Sequence, residues 1–357
     1  MTSLKKNTQR TLRRRKHTLR NILVVLMCAA FIIGAGIFLK YGLLSNSGIL
    51  SLIFDSGNEY PLLMQYRENE PEKYSLSLLT AENDYRLMGL DLVVDKDNSD
   101  KDDTITAQAC AIYNVTDRSV VYSSNAFTKM YPASVTKLTT LLVALKYGNL
   151  SDEVTVTRQM LSNLEPGSSL CGIRAGDTIS LNDLLYGLML PSGNDAACAI
   201  AYHIAGDENQ FANLMNIEAA ALGAVDTHYV NPHGLHNTNH YTTAYDIYLI
   251  FNELLKYDKF FDIIGTQEYV ANYHDKNGAE VQKVWNRGIW YFNNLAFAPP
   301  GISPLGGKTG TTPEAKYCLS LLSSDNNGKR YISVVLHADS RVLLYENMTN
   351  LLSKIDN

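Results

Sequence analysis

The chain has 357 residues, 46% of them apolar and 19% charged, with a net charge of −5 at pH 7. That balance is globular: it excludes a largely disordered chain, and the length allows one large domain or two ordinary ones. Eight basic residues and no acidic one occupy the first 20 positions, so everything beyond them is acidic, which argues against nucleic acid as a partner.

In chain order, the basic tail 1–20 precedes ILVVLMCAAFIIGAGIFL, Ile22 to Leu39, which carries no charge and is long enough to cross a bilayer core. Basic residues on its N-terminal side predict a cytoplasmic N-terminus, a single transmembrane helix at 21–40 and the remainder outside the cell membrane. A cleaved signal peptide is the alternative, since AAF and GAG supply small residues. Residues 41–104 read as a linker or stalk. It ends in DKDNSDKDD, residues 95–103, which departs from a calcium loop by having Asp100 in place of the turn glycine and Thr106 in place of the last glutamate. The cysteines beyond the membrane run, Cys110, Cys171, Cys198 and Cys318, are too sparse for a disulfide scaffold and read as buried thiols.

Residues 105–357 form the expected domain. ITAQACAIYNV and VVYSS, separated by TDRS, predict a hairpin. A helix follows from Val135, with Leu138, Leu141, Leu142 and Leu145 at helical spacing and Gly148-Asn149 as its stop. The helical block continues to about residue 260. Within it, Ser180 and Asp183 cap SLNDLLYGLML, Pro191 ends it, and DAACAIAYHIA makes a second apolar helix. After about residue 300, GGKTGTT, YCLSLLSS and YISVVLHA read as strands. The closing helix buries Leu344, Met348, Leu351, Leu352 and Ile355. This order predicts an α+β fold, an antiparallel sheet flanked by helices and completed by distant parts of the chain, with an inserted all-helical subdomain.

Ser134 stands at the head of the first helix with Lys137 one turn on. Alone, an S-x-x-K pair means little, since Ser3 and Lys6 match it too; likewise Ser56-Gly57-Asn58 repeats the triplet Ser192-Gly193-Asn194. Order and setting carry more: Ser134 opens an apolar helix, Ser192 to Asn194 turn a corner between two buried helices, and Lys308-Thr309-Gly310 lie on a strand. Either Ser134 is a cap beside a solvated lysine, or it is a nucleophile beside its base. The second role needs a neutral amine, and burial, the positive end of the helix and the charge of Lys308 would each push Lys137 that way.

These three motifs are those of the penicillin-recognising serine enzymes. YPASVTKLTTLLVALK, GSSLCGIRAGDTISLNDLLYGLMLPSGNDAACAIAYHIAG, NPHGLH and GGKTGTTPEAKYCLSLL resemble the low-molecular-mass D-alanyl-D-alanine carboxypeptidases over about residues 105–345. The resemblance implies a serine β-lactamase/transpeptidase-like fold and a peptidoglycan stem pentapeptide as substrate, with penicillins acylating the same serine. It implies Ser134 as nucleophile, Lys137 as base and Ser192 as proton relay. Asn194 would hold the substrate amide, Lys308 and Thr309 its terminal carboxylate, and Gly310 would leave room along the strand. The backbone N–H groups of Ser134 and Thr311 would form the oxyanion hole.

A β-lactamase is the second enzyme reading, but no glutamate is assigned to deacylation, so slow β-lactam turnover is expected. A membrane-tethered penicillin sensor or wall-binding module without turnover is the third. The chemistry calls for no metal or organic cofactor. His233, His236 and His240 invite a metal reading, yet no H-E-x-x-H is present and NPHGL matches a loop of the family, so they read as structural. Asp246 in TTAYD also reads as structural.

Overall fold

The structure, a computed structural model, describes residues 92–97 and 99–355. The expected membrane span Ile22–Leu39, its alternative as a signal peptide and most of the stalk lie outside them. Among the described residues no helix is long and apolar enough to cross a membrane.

β1 (Ala109–Asn114) is buried at every position because both its faces are covered. Ala109, Ala111 and Tyr113 face one core, while Cys110 and Ile112 face another. It pairs antiparallel with β2 (Ser119–Ser124), as the predicted hairpin, and with β9 (Arg330–Ala338) on its other side. β8 (Lys316–Ser324) and β7 (Ser303–Thr312) complete a five-stranded antiparallel sheet in the order β2-β1-β9-β8-β7. Strands from both ends of the domain thus meet in one sheet, as the chain order predicts, and β7 lies at its edge.

On one face the closing helix α7 (Arg341–Leu352) sets Leu344, Met348, Leu351 and Leu352 against Ile112, Leu319, Leu321 and Val335. On the other face lies the helical block: α1 (Lys137–Tyr147), α2 (Leu181–Met189), α3 (Asn194–Ala205), α4 (Glu208–Ala221), α5 (Ala244–Leu254) and α6 (Asp258–Gly265). The Asp183 N–H donates to Ser180 Oγ at 3.0 Å, which is the predicted cap of α2. Four buried alanines in α3, at 196, 197, 199 and 201, let its neighbours approach closely.

Two expectations fail. The inserted region is not all-helical, because β3 (Glu153–Thr155), β4 (Thr178–Ser180), β5 (Glu268–His274) and β6 (Glu280–Asn286) form a second antiparallel sheet in that order. β3 and β4 are too short to show a period. β5 and β6 bury only Ala271, Tyr273 and Trp285, so neither presents an apolar run.

Nor does the linker reach residue 104. The Val93 N–H donates to Tyr248 Oη at 2.7 Å, and the Val93 carbonyl accepts from Tyr245 Oη at 2.8 Å. Asp95, nominally the start of a solvated acidic run, is buried and accepts from the Tyr113 hydroxyl at 2.6 Å and the Ser123 hydroxyl at 2.8 Å. Its partners lie on β1 and β2, outside the local sequence from which its solvation was inferred.

Candidate active site

The turn that carries Ser134 is tighter than the expected helix start. Ala133–Thr136 is a 3-10 turn, and the α-helix begins only at Lys137. Ala133 has φ +47°, a left-handed conformation that costs a residue with a Cβ about 1 kcal/mol or more. Contacts from two sides hold it there. Gly234 of the NPHGL loop, at φ +87°, lies so close that a Cβ on it would stand 1.9 Å from the Ala133 carbonyl oxygen. From the sheet edge, a Cβ on Gly310 would stand 2.7 Å from the Pro132 oxygen and 3.0 Å from the Ser134 nitrogen. The strand can approach Ser134 only because residue 310 has no side chain.

Lys137 is wholly buried. Its Nζ lies 3.0 Å from Ser134 Oγ and donates to Asn194 Oδ1 and the His233 carbonyl, each at 2.8 Å. Burial pushes its pKa well below the usual lysine value, and the charge of Lys308 pushes the same way. The partners fit the neutral amine: two carbonyl oxygens take its two N–H groups, and the lone pair remains for the Ser134 hydroxyl proton. A solvated lysine is excluded.

Ser192 turns the corner between α2 and α3 at φ +62°. Its Oγ accepts from Lys308 Nζ at 2.9 Å, and Lys308 also donates to the Thr309 carbonyl at 2.9 Å. Lys308 is itself buried, which pushes it down to about 7, with the nearby Arg287 charge adding to the effect. The corner thus touches both lysines: Ser192 meets Lys308 and Asn194 meets Lys137. Thr309 and Thr311 flank Gly310 on β7, with Thr311 exposed. Contacts thus bring together Ser134, Lys137, Ser192, Asn194, Lys308, Thr309 and Gly310, and Thr311 follows Gly310 on the same strand.

Other groups escaped the sequence reading. The Asp195 carboxylate, buried, accepts from the N–H groups of Cys171 at 2.8 Å, Gly172 at 2.7 Å and Ile173 at 3.2 Å. It fastens that loop to the Ser192 corner, and the Asn194 N–H adds a bond to the Ser169 carbonyl at 2.8 Å. An acid in the first turn of α3 was its only local signal. Arg287, for which there is no local signal, donates to the carbonyls of Thr266 at 2.9 Å and Ile263 at 2.6 Å.

The three closely spaced histidines take separate partners. His240 Nδ1 accepts the Val230 N–H at 3.2 Å, so Nε2 carries the proton and donates to Thr136 Oγ1 at 2.8 Å; burial pushes this ring down to about 3. His236 stacks edge-on against Tyr131 and lies 3.9 Å from Glu314. His233 faces Glu208 at 3.5 Å. Asp246 accepts from the Thr227 hydroxyl at 2.6 Å in a structural setting, and burial raises it to about 6. Cys110, Cys171, Cys198 and Cys318 are buried thiols.

A family model described as D-alanyl-D-alanine carboxypeptidase matches residues 96–340. The chain is 36% identical over 227 residues to the D-alanyl-D-alanine carboxypeptidase DacF of Bacillus subtilis, covering 62% of this chain and 54% of that protein. It is 32% identical over 262 residues to DacC of Escherichia coli, covering 70% and 61% respectively. It thus spans between about half and three fifths of the length of these two relatives. Among solved structures, the Streptomyces K15 DD-transpeptidase superposes with a TM-score of 0.65 at 29% identity, covering 71% of this chain and 98% of that one. Penicillin binding protein 5 of Haemophilus influenzae does so at 0.62 and 28%, covering 71% and 72%. With its serine, paired lysines and edge strand in the setting that the motifs imply, the chain belongs to the D-alanyl-D-alanine carboxypeptidase family.

Proposed function

We propose that this protein is a serine-type D-Ala-D-Ala carboxypeptidase that trims peptidoglycan stem pentapeptides through an acyl-enzyme and is acylated at the same serine by penicillins. The observation that carries the proposal is the buried Lys137 amine 3.0 Å from Ser134 Oγ, with its other two partners both carbonyl oxygens. Lys137 takes the Ser134 proton as Oγ attacks the carbonyl of the penultimate D-alanine. The developing oxyanion is held by the N–H groups of Ser134 and Thr311. Lys308 and Thr309 hold the terminal carboxylate, and Asn194 Nδ2 is left to meet the substrate amide. Ser192, held by Lys308, relays the proton taken up by Lys137 to the departing D-alanine amine, which leaves Lys137 neutral and Lys308 charged. Water then cleaves the ester with Lys137 again as base.

The uncharged run Ile22–Leu39 and the basic residues before it support a position at the cell membrane, with the basic tail inside and the catalytic domain outside. The test is a labelled penicillin together with a synthetic stem pentapeptide. Wild type takes up a stable covalent label and releases D-alanine; Ser134→Ala does neither. Absence of label on wild type ends the serine-enzyme reading. Rapid loss of the label would favour the β-lactamase, and stable label without D-alanine release would favour the sensor.

A further inference from the structure

The mechanism uses the backbone carbonyl of His233 but not its ring, and leaves two neighbouring side chains without a role. Cys198 lies one helical turn beyond Asn194 on α3, Glu208 opens α4, and His233 sits in the NPHGL loop. One ligand atom from each, the Cys198 sulfur, a Glu208 carboxylate oxygen and a His233 ring nitrogen, all lie within 4.8 Å of one another. Cys198 and His233 are buried, and Glu208 is largely so. We propose that Cys198, Glu208 and His233 form a Zn2+ site, with water as the fourth ligand.

Three observations support the assignment. The donor set is sulfur, imidazole nitrogen and carboxylate oxygen, which suits a borderline-soft cation in tetrahedral coordination. His233 Nε2 and Glu208 Oε2 are 3.5 Å apart; without an ion the carboxylate accepts from this ring and from the Cys198 thiol, and the spacing is close to the roughly 3.4 Å that separates two ligands each about 2.1 Å from a tetrahedral zinc. One outer partner is in place as well. Asn163 Nδ2 donates to Glu208 Oε1 at 3.2 Å and so orients the carboxylate. Asn163 is exposed, which gives an ion a route in along the Glu208 side.

The proton balance is simple. Zinc replaces the Cys198 thiol proton, which leaves to solvent. His233 Nδ1 accepts the Leu235 N–H at 3.2 Å, so the ring proton starts on Nε2; coordination by Nε2 moves it to Nδ1, and the Leu235 N–H, which would then face a second N–H, must turn away. No oxidation state changes. A bound ion would pin the loop whose carbonyl accepts from Lys137 at 2.8 Å, linking metal occupancy to the order of the nucleophile's surroundings.

The test uses the full-length chain, reduced and stripped with EDTA. Co2+ titration is expected to give a near-ultraviolet thiolate-to-cobalt charge-transfer band that saturates near one equivalent and is bleached by Zn2+. Cys198→Ser should lose the band, and Glu208→Gln should bind Co2+ at least about tenfold more weakly. Zinc should raise the thermal midpoint of wild type and leave that of Cys198→Ser unchanged. No band in wild type, or a full-strength band in Cys198→Ser, overturns the proposal. Should Cys198→Ser fail to melt cooperatively, Glu208→Gln decides: unchanged affinity refutes the site.

Discussion

Two buried lysines, Lys137 beside Ser134 and Lys308 beside Ser192, have opposite duties in the proposed mechanism. Lys137 must be neutral to accept a proton, whereas Lys308 must be charged to hold a carboxylate. Burial depresses both; the Lys308 charge adds to the effect on Lys137, and the Arg287 charge adds to the effect on Lys308. In the free enzyme the rate constant kcat/KM therefore rises with pH as Lys137 loses its proton. It falls again as pH passes about 7, where Lys308 becomes neutral. Lys308→Arg keeps a cation across that range, so it should remove the alkaline decline while leaving the acidic limb. A pH series of labelled-penicillin acylation checks this, and an unchanged alkaline limb in Lys308→Arg would assign the decline to another group.

At the scale of elements, the proposed activity depends on how β7 and α3 grip the turn that carries Ser134. A Cβ at residue 310 would strike the Pro132 oxygen and crowd the Ser134 nitrogen, neither of which can swing aside as a side chain could. Gly310→Ala should thus lower the acylation rate by roughly 100-fold through misplacement of Ser134, with only a modest change in the denaturation midpoint. Asp195→Ala should show the reverse balance. It strips three loop N–H groups of their acceptor, so about 3 kcal/mol of stability is lost, measurable by chemical denaturation, while Ser134 and Lys137 keep their mutual contact. This division also marks what the sequence made legible. Ser134, Lys137, Ser192 and Lys308 announce themselves because their chemistry needs particular residues at short spacing. Asp195 and Arg287 serve loops and helix ends reached only through the fold, and β3 to β6 lack the length or the apolar run that would make them visible.

At the scale of the whole molecule, the same limit displaced the domain boundary. Charge and polarity made residues 95–103 look solvated, yet Asp95 ties β1 to β2 through the Tyr113 and Ser123 hydroxyls, and Val93 is joined to α5 by two tyrosine hydroxyls. The Ala126 N–H and the Ser123 N–H also find acceptors in this segment, on Asp97 at 3.1 Å and Ser99 at 2.9 Å. A chain starting at residue 105 would lose the buried Val93 side chain and leave these groups to water or to nothing. A chain starting at residue 92 keeps all of them. The shorter form should be less stable by roughly 3–5 kcal/mol, the sum expected for one buried aliphatic side chain and several lost hydrogen bonds. Denaturation midpoints of the two forms, measured at equal denaturant slope, decide the matter. Equal midpoints would mean that residues 92–104 only lie against the domain, and the boundary would return to the place that the polar composition suggests.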